Sequence, residues 1–155
     1  RLESAPFNWS QGSISALFLV YLIGAWASAT AGRLTERWSR GRILQVSLLV
    51  MGAGIVLTLA SHPAFILLGI VGQTIGFFAT HSIASSWVGR SAENAKGHAS
   101  SLYLLSYYMG SSILGAAGGW FWSHTGWSGV VAFCLSLLSC GLVAAARLRM
   151  TEQGV

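Results

Sequence analysis

Two sets of residues have the types and spacing to do chemistry. Thr74, His81 and Ser85 recur at i, i+7 and i+11, and Tyr103, Tyr107 and Ser111 at i, i+4 and i+8. On helices each set lies along one stripe. A histidine of ordinary pKa, about 6.5, takes up and releases a proton near neutral pH, and the hydroxyls around it can orient a polar solute. This is the chemistry of binding and proton carriage, not of bond breaking. The four histidines, His62, His81, His98 and His124, follow one another at intervals of 19, 17 and 26, so neither an HExxH pair nor a Cys/His metal pattern arises. Ser82 and Ser85 lie outside any GxSxG turn, and the sequence contains no phosphate-cradling glycine loop. Cys134 and Cys140, six apart on one helix, place their Cα atoms about 9 Å apart, beyond the roughly 7 Å reach of a disulfide. An enzyme, a resident cofactor and a metal site are therefore not expected.

The elements that hold these stripes must cross a lipid bilayer. Of the 155 residues 54% are hydrophobic and only 8% charged, against about 25% charged in soluble domains. Residues 43–89 and 97–146, runs of 47 and 50, contain no Asp, Glu, Lys or Arg. As a single helix either run would be about 70 Å long, more than twice the roughly 30 Å of membrane hydrocarbon, so each must fold into two passes. The first run breaks at "SHPA", where Pro63 cannot continue one helix but suits the first turn of the next. The second breaks at the polar, glycine-containing "SHTGW". Together with the leading apolar stretch this predicts an all-α membrane protein with five transmembrane helices, at 11–31, 43–60, 64–87, 99–122 and 129–146. Trp9, Trp38, Trp87, Trp120, Trp122 and Trp127 fall at or near the ends of these spans, as interfacial aromatics do; Trp26 falls inside one.

Charge gives the orientation. Arg33, Arg37, Arg40 and Arg42 fill the first connection, Arg90 and Lys96 the third, and Arg147 and Arg149 the tail, while the second and fourth carry none. By the positive-inside rule those segments and the C-terminus are cytoplasmic and the N-terminus is outside, with Arg1 the exception. The net charge of +5 is thus a matter of membrane topology, and nucleic acid is not an expected partner. The sequence opens on Arg1 and not on Met, and an odd helix count that starts outside leads us to expect a piece of a longer protein with a preceding helix.

Polarity separates the spans. The second and fifth hold few hydroxyl or amide residues (Gln45, Ser47 and Thr58; Ser136 and Ser139) and look lipid-facing and structural. The third and fourth are rich in them and look like the walls of a cavity, with Gln73, Thr74, His81, Tyr103, Tyr107 and Ser111 as the candidate solute pathway. His81, the histidine within a span and away from its ends, is the candidate proton-coupling group. The alternative for it is a neutral structural histidine hydrogen-bonded to a neighbour such as Tyr107. Small residues repeat at four in Gly24, Ser28 and Gly32, in Gly72 and Gly76, and in Ser111, Gly115 and Gly119, a spacing that lets helix backbones approach closely.

The first connection, "GRLTERWSRGRIL", resembles the signature loop of the major facilitator superfamily, roughly Gly-x-Leu-small-Asp-Arg-x-Gly-Arg. Gly32, Leu34, Arg37 and Arg40 match, Glu36 stands for the usual Asp, and Ser39 for the usual Gly. Residues 80–133 are similar to the last part of bacterial inner-membrane transporters of this superfamily related to arabinose-efflux permeases. The resemblance covers about residues 7–149 and implies helices eight to twelve of a twelve-helix carrier: a partial C-terminal six-helix bundle lacking its first helix. It implies that the eighth, tenth and eleventh helices line the pathway, and that Glu36 latches one conformation against the missing N-terminal half. It further implies secondary active transport of a small-molecule substrate by alternating access, in the bacterial inner (cytoplasmic) membrane. No nucleotide-binding motif is present, so proton coupling is expected, with sodium coupling and uniport as the alternatives, and efflux is the expected direction. The alternative reading is a small integral-membrane interaction or assembly protein without transport activity of its own.

Overall fold

The computed structural model describes residues 1–3 and 6–153, which are helical apart from short turns. Helix α1 (Gln11–Ala16) runs through a 3₁₀ turn (Leu17–Leu19) into α2 (Val20–Leu34); α3 is Arg40–Leu57, α4 is Pro63–Ser91, and α5 is Lys96–Gln153 after a second 3₁₀ turn at Glu93–Ala95. The helix starts are chemically marked. The Ser10 hydroxyl accepts from the Ser13 N–H, the Ser39 hydroxyl from the Arg42 N–H at 3.4 Å, and His62 Nδ1 from the Ala64 N–H at 3.2 Å, with Pro63 in the first turn. Each cap satisfies an N–H that the first turn leaves unpaired. Ser39, a departure from the signature-loop pattern, is therefore the residue that starts α3.

Among the described residues four helices are long and apolar enough to cross a membrane, one fewer than the five predicted spans. The difference lies in α5, whose 58 residues would measure about 87 Å if straight. Gly126 interrupts it with φ 67° and ψ −159°, a left-handed conformation that favours glycine. The chain reverses there. The Phe121 and Phe133 rings stack with centroids 4.8 Å apart, although twelve residues of straight helix would separate them by about 18 Å. Ser100 lies beside Gly89 near the end of α4, while Arg149 packs on Gly41 at the start of α3. The two arms of α5, before and after Gly126, thus run antiparallel and make the fourth and fifth passes.

The first three spans shift by a few residues: 11–31 extends to 34, 43–60 becomes 40–57, and 64–87 becomes 63–91. Helices α3 and α4 cross at glycines, with Gly54 set against Gly69 and Gly72, and Gly76 against Ser47 and Met51. Gly24 leaves room for the Phe78 ring, and the Ser28 hydroxyl donates to the Phe78 carbonyl at 3.2 Å. The other predicted small-residue contacts are not made: a Cβ at Gly32, Gly115 or Gly119 would meet open space.

The core lies toward the arginine-rich end, where Ala31, Ile43, Leu44, Leu48, Ala79, Ile83 and Ala145 meet. Helix α3 is not simply the lipid-facing span its low polarity suggested. It carries seven buried residues, Gly41, Ile43, Leu44, Ser47, Leu48, Gly54 and Ile55, because it is packed between α4 and the second arm of α5. Only its outer face, with Val46, Leu49 and Val56, stays exposed.

Arg1, the one basic residue at the opposite end, has a local role. Its guanidinium donates to the carbonyls of Thr58 and Ala60 at the C-terminus of α3, the latter at 2.9 Å, and lies 5.9 Å from the Trp127 ring centroid. Trp127 Nε1–H in turn donates to the buried Thr58 hydroxyl at 3.0 Å. A cation there satisfies the orphan carbonyls and the negative end of the helix dipole.

Candidate functional site

His81 sits on α4 ten residues before its end and faces the first arm of α5. Both predicted tyrosines of that arm reach it. The Tyr103 hydroxyl lies 3.0 Å from His81 Nδ1 and 3.4 Å from the His81 carbonyl, and the Tyr107 ring centroid is 4.9 Å from that of the imidazole. The hydrogen-bonding neighbour is therefore Tyr103, with Tyr107 in ring contact. Phe77, one turn back on α4, stacks on the imidazole at 5.9 Å and approaches Tyr107 at 6.5 Å. The i−4 spacing from His81 marks Phe77 in the sequence, but a search for polar side chains passes over it. All four side chains are half-buried, which leaves each a face for a ligand.

The rings continue in both directions. Phe77 meets Phe78 edge to face at 5.4 Å, Phe78 meets Tyr21 of α2 at 5.5 Å, and Tyr107 meets Tyr108 at 5.3 Å. An aromatic band thus crosses α2, α4 and the first arm of α5, the three elements that the family pattern implies for the pathway, the latter two of which polarity also marked.

The remaining pathway candidates do not join this cluster. The Thr74 hydroxyl donates to the Ile70 carbonyl at 2.8 Å and that of Ser85 to the Ser82 carbonyl at 3.1 Å, each within its own helix. Ser111 is exposed. Gln73 lies eight residues before His81, about 12 Å along the helix, and lines a separate cavity of about 420 Å³ with Arg1, Glu3, Thr58 and Trp127. The neighbouring Thr80 hydroxyl is buried with no hydrogen-bond partner among the described residues.

The signature-loop residues form the turn between α2 and α3. The Thr35 hydroxyl donates to the Gly32 carbonyl at 2.7 Å, and Leu34, Glu36 and Arg37 line an open cavity of about 430 Å³ with Thr30 and Arg33. Glu36 and Arg37 are exposed, whereas Arg40 Nε is buried without a partner among the described residues. At the same end, Arg42 lies over Trp38 at 4.8 Å and Arg149 donates to Gln45 Oε1 at 3.1 Å.

This geometry gathers ring faces, hydroxyls and one imidazole on a half-buried surface, and the relatives of the chain are named as transport proteins. The chain is 47% identical over 148 residues to the inner membrane transport protein YnfM of Escherichia coli (strain K12), covering 96% of this chain and 36% of that protein. An uncharacterized transporter of Buchnera aphidicola subsp. Schizaphis graminum (strain Sg) is 42% identical over 149 residues, covering 96% and 36%. The uncharacterized MFS-type transporter YybF of Bacillus subtilis (strain 168) is 41% identical over 141 residues, covering 91% and 35%. The chain thus spans about a third of the length of these curated relatives, and no solved structure matches it. The family model described as Major Facilitator Superfamily matches residues 3–154, which takes in the signature loop, the glycine crossing and the His81 cluster. With its apolar helices, its loop pattern and this match along almost its whole length, the chain belongs to the major facilitator superfamily.

Proposed function

We propose that this chain supplies helices eight to twelve of a twelve-helix secondary carrier, the C-terminal bundle without its first helix. The carrier moves a small solute across the bacterial inner membrane by alternating access and exports it against proton entry. The observation that carries this reading is the His81–Tyr103–Tyr107 cluster, which places one ionisable group on a half-buried face between two pathway helices. Intramembrane ionisable residues are expensive and mark ion and substrate routes. Helices α2, α4 and the first arm of α5 form the wall facing the N-terminal half, while α3 and the second arm support them from behind. Glu36 and Arg37, exposed on the signature loop, are available to that half as a latch. The flux test is a proteoliposome screen of the full-length carrier with a trapped pH dye. A solute added on one side should move protons only if it is carried, and no proton movement with any carried solute would contradict the coupling.

The orientation has its own expected result. Eight of the nine basic residues are gathered at one end of the helices, the pattern of a cytoplasmic face. In a full-length carrier freed of its native cysteines, single cysteines at Ser39 and Ala95 should resist an impermeant thiol reagent in intact cells, and one at Thr125 should label. Labelling at Ser39 from outside would reverse the assigned topology.

A further inference from the structure

The arginine-rich turn between α2 and α3 stands at the mouth of an apolar crevice that lies apart from the His81 cluster. We propose that the two together bind one anionic diacyl phospholipid of the cytoplasmic leaflet, with its phosphate on Arg33 and Arg37 and an acyl chain between α2 and α3. The crevice, of about 150 Å³, is lined by Trp26, Thr30 and Leu34 of α2, Trp38 of the turn, and Val46 and Val50 of α3, and α4 closes it from behind at Gly76. Among the described residues that line it none is charged. It follows α2 from Leu34 back to Trp26, about 12 Å of helix, and so runs from the basic end of the bundle into the hydrocarbon. Tyr21 turns its ring to Phe78 of α4, and Trp26 and Thr30 stand roughly half a turn round α2 from it. The crevice therefore opens on the flank of the bundle, away from the aromatic band.

The open cavity over the turn adjoins this crevice. The two share Thr30 and Leu34, and the rest of the cavity lining is Arg33, Glu36 and Arg37. An apolar slot that continues into a charged cup matches an amphiphile. A hydrocarbon chain gains dispersion contacts along the slot, and guanidinium groups make paired, charge-assisted hydrogen bonds to phosphate. The charges select the headgroup. Arg33, Arg37 and Arg42, three guanidiniums against the one carboxylate of Glu36, are all exposed, and Arg42 lies over the Trp38 ring at 4.8 Å, at the rim of the crevice. A headgroup of zero net charge leaves this positive surplus unanswered, whereas an anionic one reduces it, and basic side chains beside the cytoplasmic surface attract anionic lipid. The site rests on the assigned cytoplasmic face and not on which solute is carried.

Dioleoyl phosphatidylglycerol is the probe, titrated onto the full-length carrier in detergent and counted by native mass spectrometry beside dioleoyl phosphatidylcholine and dioleoyl phosphatidylethanolamine. One phosphatidylglycerol should bind about tenfold more tightly than either zwitterionic lipid. Arg33→Gln combined with Arg37→Gln should remove that preference and lose at least about tenfold in affinity. Val50→Trp, which fills the crevice and keeps every charge, should also weaken binding, whereas Val56→Trp, at an exposed position further along the same helix, should leave it unchanged. Equal affinity for the three lipids would overturn the selection of an anionic headgroup. Wild-type affinity in the double arginine variant would overturn the phosphate seat, and wild-type affinity in Val50→Trp, in protein of matched monodispersity, would overturn the acyl-chain crevice. If the N-terminal half covers the crevice instead, phosphatidylglycerol will show no saturable one-to-one binding, and the site is overturned.

Discussion

Replacing Gly54 with leucine should abolish the folded carrier, whereas Gly52→Ala, two residues away on the same helix, should leave its stability within about 0.5 kcal/mol of wild type. The contrast follows from what each new carbon would meet. A Cβ at Gly54 falls 2.6 Å from the Gly69 carbonyl oxygen and 2.9 Å from the Gly72 carbonyl carbon, and against the Gln73 backbone nitrogen. These are backbone atoms of a packed helix and cannot rotate away. Overpacking by a methylene or two typically costs about 1–3 kcal/mol; a branched side chain wedged between two backbones forces α3 and α4 apart and costs more. A Cβ at Gly52 instead lies 3.6 Å from a Leu138 methyl, an ordinary contact, and alanine is the better helix former. The measurement is the monodisperse fraction of purified carrier after heating. A Gly54→Leu protein as stable as wild type would show that the α3–α4 crossing is not set by this glycine contact.

The second large effect is on pH dependence. Solute exchange through a His81-coupled carrier should change several-fold between pH 5.5 and 7.5, the window in which histidine is the side-chain type that switches charge. His81→Gln keeps a hydrogen-bonding side chain beside the Tyr103 hydroxyl but cannot titrate. Its exchange rate should vary less than about twofold over the same two pH units. Tyr103→Phe is the companion variant. It removes the hydroxyl 3.0 Å from Nδ1 and leaves the titrating ring, so it should shift the pH profile without flattening it. A purely structural histidine would give the opposite record, a loss of rate equal at every pH with the wild-type profile intact.

Much of this architecture was legible in the sequence because the membrane makes it so. Two charge-free runs too long for one pass, a proline after a polar pair, and arginines in alternate connections set the number of passes and gathered eight basic residues at one end. Helix ends were less legible, since Ser39 and His62 start their helices through caps that act on one N–H each and leave no trace in hydropathy. Gly126 was legible only as part of a polar cluster, and its positive φ is what turns one long helix into two arms. Arg1 ran against the charge pattern because its task is local, capping α3 beside Trp127. At the site, the i, i+4 spacing placed Tyr103 and Tyr107 together on the face toward α4, and His81 was visible as an ionisable residue within a span. The rest depended on how helices rotate against one another. Ser111 drifts off the stripe into exposure, Thr74 and Ser85 turn their hydroxyls to their own backbone, and Gln73 lines a different cavity. Phe77 was missed because it contributes a ring face, whereas polarity counts register only donors and acceptors.

If the carrier works by alternating access, the His81 cluster must open to each side of the membrane in turn. The direct measurement uses the full-length carrier, freed of native cysteines, with a single cysteine at position 107, in proteoliposomes of defined orientation. A membrane-impermeant thiol reagent is applied to one face and then, in a separate sample, to the other. Modification is expected from either face, at rates that shift in opposite directions when one conformation is trapped, and with no leak of a trapped dye. Modification from one face only, or from neither, would contradict a solute pathway that passes through His81, Tyr103 and Tyr107.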